Sequence, residues 1–195
     1  MEQARRLEHG ALASESATIP FSTRSIRHLA ELAILAAVYF GAGKFGLRFA
    51  SIHPSSTAIW APAGIALGAC LLWGSWVWPA IFVGAFLVNI TTAGSLATSL
   101  GIAVGNTLEA LAAAYLVVRF ANGRRVFDRT RDAFKFLVFA AMFSTMVAAT
   151  VGVVSLCLGG YARWSEFSWI WLTWWLGDAA GDLLIAPLIL LWGSN

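Results

Sequence analysis

The chain has 195 residues, 59% apolar and 12% charged, with a net charge of +3 and a mean hydropathy of +0.74. Soluble domains carry roughly 25% charged residues, so too few polar side chains are present to cover a water-facing surface, and an ordinary soluble domain is excluded. The basic excess follows membrane orientation along the chain and does not indicate a nucleic-acid partner.

Residues 1–27 are polar and of mixed charge, with Arg5, Arg6, Arg24 and Arg27 among Glu2, Glu8 and Glu15. No continuous apolar core of a secretory signal interrupts them, and they read as a cytoplasmic tail. A membrane domain follows over residues 28–192, ending in a stub at 193–195. Six apolar stretches approach the length of about 18 residues at which a helix crosses roughly 30 Å of hydrocarbon. They cover about residues 28–50, 57–73, 77–92, 96–120, 133–158 and 168–192. Pro62 falls in the first turns of the second, where a missing amide is tolerated. The expected fold is an all-α polytopic bundle of about six transmembrane helices.

Orientation follows from basic residues near the span ends. With six crossings and an inner N-terminus, ten Lys and Arg fall on the cytoplasmic side and only Lys44, Arg48 and Arg163 on the other. Both termini are therefore expected inside. Trp73, Trp76, Trp78 and Trp192 then fall at the inner interface, and Trp164, Trp169 and Trp171 at the outer one, as interfacial anchors do. Cys70 and Cys157 lie inside apolar stretches and read as small hydrophobes.

Gly64-xxx-Gly68, Gly101-xxx-Gly105 and Gly177-xxx-Gly181 each place two glycines on one helix face. Lipid offers no hydrophobic drive between helices, so close approach needs small residues. Packing inside the bundle is the expected use, and a homodimer seam is the rival reading.

Three acids lie where they are expensive: Glu109, Asp178 and Asp182, each costing about 2.5–3.5 kcal/mol at mid-membrane. Asn106 shares a helix face with Glu109, and Asp178 with Asp182. A polar seam is expected where spans four and six meet, with Asn89 of span three and Ser144, Thr145 and Thr150 of span five as neighbours. Two readings compete: the groups satisfy one another and hold the bundle together, or they line a site for a cation, a proton or a small polar ligand. Lys44 and, nearer the surface, Arg48 are the basic residues placed to pair with an acid. Trp174 and Trp175 lie a turn deeper than the anchoring tryptophans, in the bundle or beside Asp178. Trp60 either anchors span two or caps a cavity.

No catalytic constellation accompanies these groups. His9, His28 and His53 are dispersed, so no metal-ligand spacing arises, no phosphate-binding loop opens a helix, and neither enzyme activity nor a cofactor is expected.

Four segments carry a resemblance: Trp60 to Gly68; Trp78-Pro79 with Gly84 to Asn89; Leu100 to Ala110, containing Gly105-Asn106-Thr107-Leu108-Glu109; and Trp171 to Gly181, containing Gly177-Asp178. In order and spacing they resemble the first family of MASE domains, over about residues 30–192. The resemblance implies a sensory input module of the bacterial inner membrane, joined on its cytoplasmic side to a histidine kinase or diguanylate cyclase, in two-component or cyclic di-GMP signalling. It also implies that this chain stops short of the output domain and of the family's last helices. Carried over by motif, Trp60, Asn89, Asn106, Glu109, Asp178 and Asp182 are the candidate sensing residues. Expected partners are the bilayer, a cytoplasmic output domain or membrane protein, and a second copy. The alternative is a small solute transporter, or a subunit of one, with a polar site between helices. The arginine-rich connection from Gly123 to Asp132 reads as an orientation signal that could also meet anionic lipid.

Overall fold

A computed structural model of the chain describes residues 21–49, 54, 57–92 and 94–193. Most of the expected tail, with Arg5, Arg6 and His9, lies outside these residues, as do the Arg24 side chain, His53 and residues 194–195. Among the described residues the structure is helical and has no strand. Helix α1 is Phe21–Leu47, α2 Ala61–Trp73, α3 Trp78–Ile90, α4 Leu96–Phe120, α5 Thr130–Phe136, α6 Thr145–Leu158 and α7 Phe167–Gly193. A π-helical segment, Leu137–Ser144, joins α5 to α6, and short 3-10 turns precede α3, α5 and α7.

The chain divides into two compact units, Met1–Glu31 and Leu32–Asn195. In the first, Arg27 pairs with Glu31 one helical turn on, at 2.9 Å. The second holds the bundle.

Four helical stretches, Ser25–Leu47, Leu96–Phe120, Thr130–Leu158 and Trp164–Gly193, are long and apolar enough to cross a membrane. Ala61–Trp73 and Ser75–Ile90 are shorter apolar helices. The chain is a multi-pass membrane protein. Its lipid-facing girdle includes the exposed side chains of Val104, Leu108, Val118, Leu176, Leu184 and Leu188.

Helix ends follow from local chemistry. Ser95 caps α4, its hydroxyl accepting from the Thr98 amide at 3.2 Å. Pro62 and Pro79 sit in the first turns of α2 and α3, where the missing amide costs nothing. At three C-termini a cation meets the unpaired carbonyls and the negative end of the helix dipole. Arg124 donates to Leu71 O and Leu72 O at the end of α2. Lys44 donates to Thr91 O at the end of α3, and Lys135 to Phe120 O at the end of α4.

Helix α7 packs most extensively on α2, α4 packs on α6 and α3, and α6 also meets α7. Glycine makes the α2–α7 approach possible: a Cβ on Gly64 would strike Gly181 O, and one on Gly68 would strike Ile189. Gly101 and Gly105 of α4 lie against Ser155 and Val151 of α6. All three expected glycine faces are thus filled by neighbours within the chain. The arginine-rich connection is ordered around Asn122 (φ 68°) and Gly123 (φ 59°), and it buries Val126.

The helical stretches follow the apolar ones closely at 96–120 and 167–193, with two physical departures. Residues 57–60 precede α2 as non-helical chain. The fifth stretch carries the π segment, in which Ser144 Oγ donates to Phe139 O five residues back, at 2.7 Å, and Trp175 Nε1 donates to Met142 O at 2.9 Å.

Candidate functional site

The interior polar groups fall into two adjoining sets. In the first, Asn106 Oδ1 of α4 accepts from Tyr39 Oη of α1 at 3.1 Å and from Trp60 Nε1 at 3.3 Å. Asn106 Nδ2 donates back to Ile102 O at 2.9 Å. One amide therefore joins three segments, and all three side chains are buried. Missing side chains make the room: Gly84 of α3 leaves space for the Tyr39 ring, and Gly43 of α1 for the Trp60 indole and Val88.

Trp60 is itself fixed by its main chain. Its amide donates to Gly177 O of α7 at 2.8 Å, which satisfies non-helical backbone inside the bundle. A Cβ on Gly181 would overlap Trp60 O, and one on Gly177 would overlap Thr57 O. The two glycines of α7 are therefore the seat on which residues 57–60 rest, and Asp178 and Asp182 each follow one of them in sequence.

The second set is the acids. Glu109, Asp178 and Asp182 are 3%, 0% and 1% exposed, so none faces lipid. The Glu109 and Asp178 carboxyls lie close enough to act on one another electrostatically, and Asp182 adds its field to both. Tyr39 lies within the fields of Glu109 and Asp178, which connects the two sets. Among the described residues no donor closes on either oxygen of Asp178, either oxygen of Asp182, or Glu109 Oε2. Buried carboxyl groups left this way are costly unless a proton, a cation or a donor arrives. Trp174, which packs on Gly152 of α6, reaches toward Asp178 without completing a bond.

The structure corrects the expected cation. Among the described residues Lys44 pairs with no acid: its ammonium donates to Thr91 O and Thr92 Oγ1, each at 3.0 Å, because the end of α3 lies within reach of its stem. The ion pairs among the described residues are Arg27–Glu31, Lys135–Asp132 and Arg163–Glu166, and Arg48 joins none of them. The seam also differs in its frame, since α4 and α7 are not principal packing partners. Their acids are nonetheless all buried in the interior.

Asn89 is buried on α3 and its amide donates to Ala85 O of its own helix at 2.9 Å. Of the expected span-five neighbours, Ser144 and Thr145 are buried and bond back to Phe139 O and Ala141 O. Thr150 is exposed instead, and accepts from Trp171 Nε1 at 3.0 Å. Tyr39 is not among the expected site residues, although a lone phenol in an apolar stretch, nine residues before Arg48, is a legible signal. Among the described residues no group of three or more His, Cys, Asp and Glu side chains is arranged to hold a metal ion.

Comparison with curated proteins and with solved structures gives no match. The family model MASE1 matches residues 31–195, a segment that contains every residue of both polar sets. The chain belongs to the MASE1 family of membrane-associated sensory domains.

Proposed function

We propose that the chain is the input half of a bacterial inner-membrane signalling protein, and that its stimulus acts on the acids at the centre of the bundle. The observation that carries this reading is the set of three buried carboxyl groups, five of whose six oxygens have no hydrogen-bond partner among the described residues, next to the Tyr39–Asn106–Trp60 network. A cation, a proton or a small donor-rich ligand would bind preferentially to the packing state in which these groups converge. Only such a difference in affinity shifts an equilibrium between states. Because residues 57–60 rest on α7 beside Asp178, a change at the acids would move α7 against α2. Helix α7 then carries the change to a kinase or cyclase on the cytoplasmic side.

This reading takes six crossings with both termini inside. Helix α2 has 13 residues, about 20 Å of rise, and the four non-helical residues before it add roughly 13 Å, enough together for a roughly 30 Å core. Burial of Thr57 and Trp60 against α7 supports irregular backbone at that depth.

The test is a chimaera with the whole chain joined in frame to a diguanylate cyclase. Glu109→Gln and Asp178→Asn are each expected to change cellular cyclic di-GMP at unchanged protein level. Output equal to that of the unsubstituted chimaera in both would contradict the reading, and solute accumulation in vesicles bearing this chain alone would replace it with transport.

A further inference from the structure

Two cavities near the ends of α2 and α7 share one wall. The first, about 440 Å³, is lined by Arg124, Arg125 and Asp128 together with Leu72, Phe127 and Leu190. The second, about 210 Å³, presents only apolar surface, from residues including Ile34, Val38, Ile65, Ala69, Leu72 and Ile189. Leu72 lines both, and its side chain packs where a Cβ on Gly193 would lie. A basic chamber beside an apolar groove, in a protein that spans a membrane, has the polarity of a single amphiphile.

The chamber's cations have different tasks. Arg124 is committed to Leu71 O and Leu72 O, which ties the Asn122–Asp128 connection to the end of α2. Arg125 forms no ion pair among the described residues, and its carbonyl accepts from the side-chain Nδ2 of Asn122 at 3.3 Å. Its guanidinium fork matches a phosphate geometrically. Asp128, in the same wall, accepts hydrogen bonds only. Arg124, Arg125 and Asp128 leave the chamber a net charge of +1.

We propose that these cavities form a binding site for one anionic phospholipid of the phosphatidylglycerol class. The phosphodiester sits on Arg125, the headgroup hydroxyls donate to Asp128, and an acyl chain lies in the groove along α1 and α2. A singly charged phosphodiester neutralises the chamber, and glycerol hydroxyls supply the donors that Asp128 requires. A zwitterionic phosphatidylethanolamine headgroup leaves the positive charge uncompensated. Basic pockets between membrane helices select anionic headgroups on these grounds.

The test uses the full chain in phosphatidylethanolamine vesicles, with brominated phosphatidylglycerol or brominated phosphatidylethanolamine as quencher. Trp73 borders the groove, and its emission is isolated by difference from Trp73→Phe. Brominated phosphatidylglycerol is expected to quench Trp73 with an apparent affinity about five-fold higher than its zwitterionic counterpart, the scale of one basic side chain near a membrane surface. Arg125→Gln is expected to abolish that preference. Val38→Phe, which fills the groove from a lipid-exposed position, is expected to weaken quenching by both lipids while leaving their ratio unchanged. Circular dichroism confirms that each variant is folded. Equal quenching by the two lipids in the unsubstituted protein, or a preference that survives Arg125→Gln, would overturn the proposal. So would Arg125-dependent broadening of the phosphorus resonance of inorganic phosphate without lipid preference, which would assign the chamber to free phosphate.

Discussion

Gly181 lies so close to the main-chain carbonyl of Trp60 that any side chain at 181 would overlap that oxygen. The contact is backbone against backbone, so no rotamer change relieves it. Gly181→Ala is therefore expected to destabilise the protein by about 1–3 kcal/mol, the scale of overpacking in a close-packed interior. Gly41→Ala, at an exposed position where a Cβ meets nothing within 4 Å, is the matched control and should be neutral or slightly stabilising. Reversible unfolding in mixed micelles measures both, and equal stability of the two variants would show that the α2–α7 approach is looser than described.

Asn106 is the hub of its network, and its partners are not equivalent to it. Tyr39→Phe deletes one donor and leaves Asn106 Oδ1 still bonded to Trp60, an expected loss of about 0.6 kcal/mol on the scale of interhelical bonds in membranes. Asn106→Leu strands the Tyr39 hydroxyl and the Trp60 indole together, an expected loss of about 1–3 kcal/mol. The order of the two unfolding free energies is the check; a Tyr39→Phe loss at least as large as that of Asn106→Leu would contradict the hub.

Lys44 serves a helix end and not an acid. Lys44→Met should cost about 0.3–1 kcal/mol through the Thr91 carbonyl and Thr92 hydroxyl it leaves. Combined with Glu109→Gln, its effect should be additive within about 0.5 kcal/mol, as for sites sharing no partner. A larger coupling energy in micelle unfolding would restore the ion pair expected from depth alone.

Much of this architecture was legible in the sequence because hydrocarbon imposes simple rules. Leu96 to Phe120 reads as one apolar span, and it is one helix, capped by Ser95. The inward faces of Glu109, Asp178 and Asp182 followed from the cost of exposing acids to lipid. What was not legible depends on tertiary proximity. Lys44 and the end of α3 are 47 residues apart, and no pattern in either stretch announces their meeting. The π segment leaves no mark in an apolar run, since Leu137 to Ser144 satisfies a helical reading of any pitch. The non-helical stretch before Trp60 was hidden in the same way: its backbone bond goes to Gly177, 117 residues on, and the glycine pairs announce close approach without naming what approaches.

Glu109 and Asp178 act on one another inside the bundle, and a double-mutant cycle reads that interaction. Glu109→Gln, Asp178→Asn and the double variant are unfolded reversibly in mixed micelles alongside the unsubstituted protein. Groups in direct contact should show a coupling energy of about 0.5–3 kcal/mol. Additivity within about 0.3 kcal/mol would mean that the two acids do not meet.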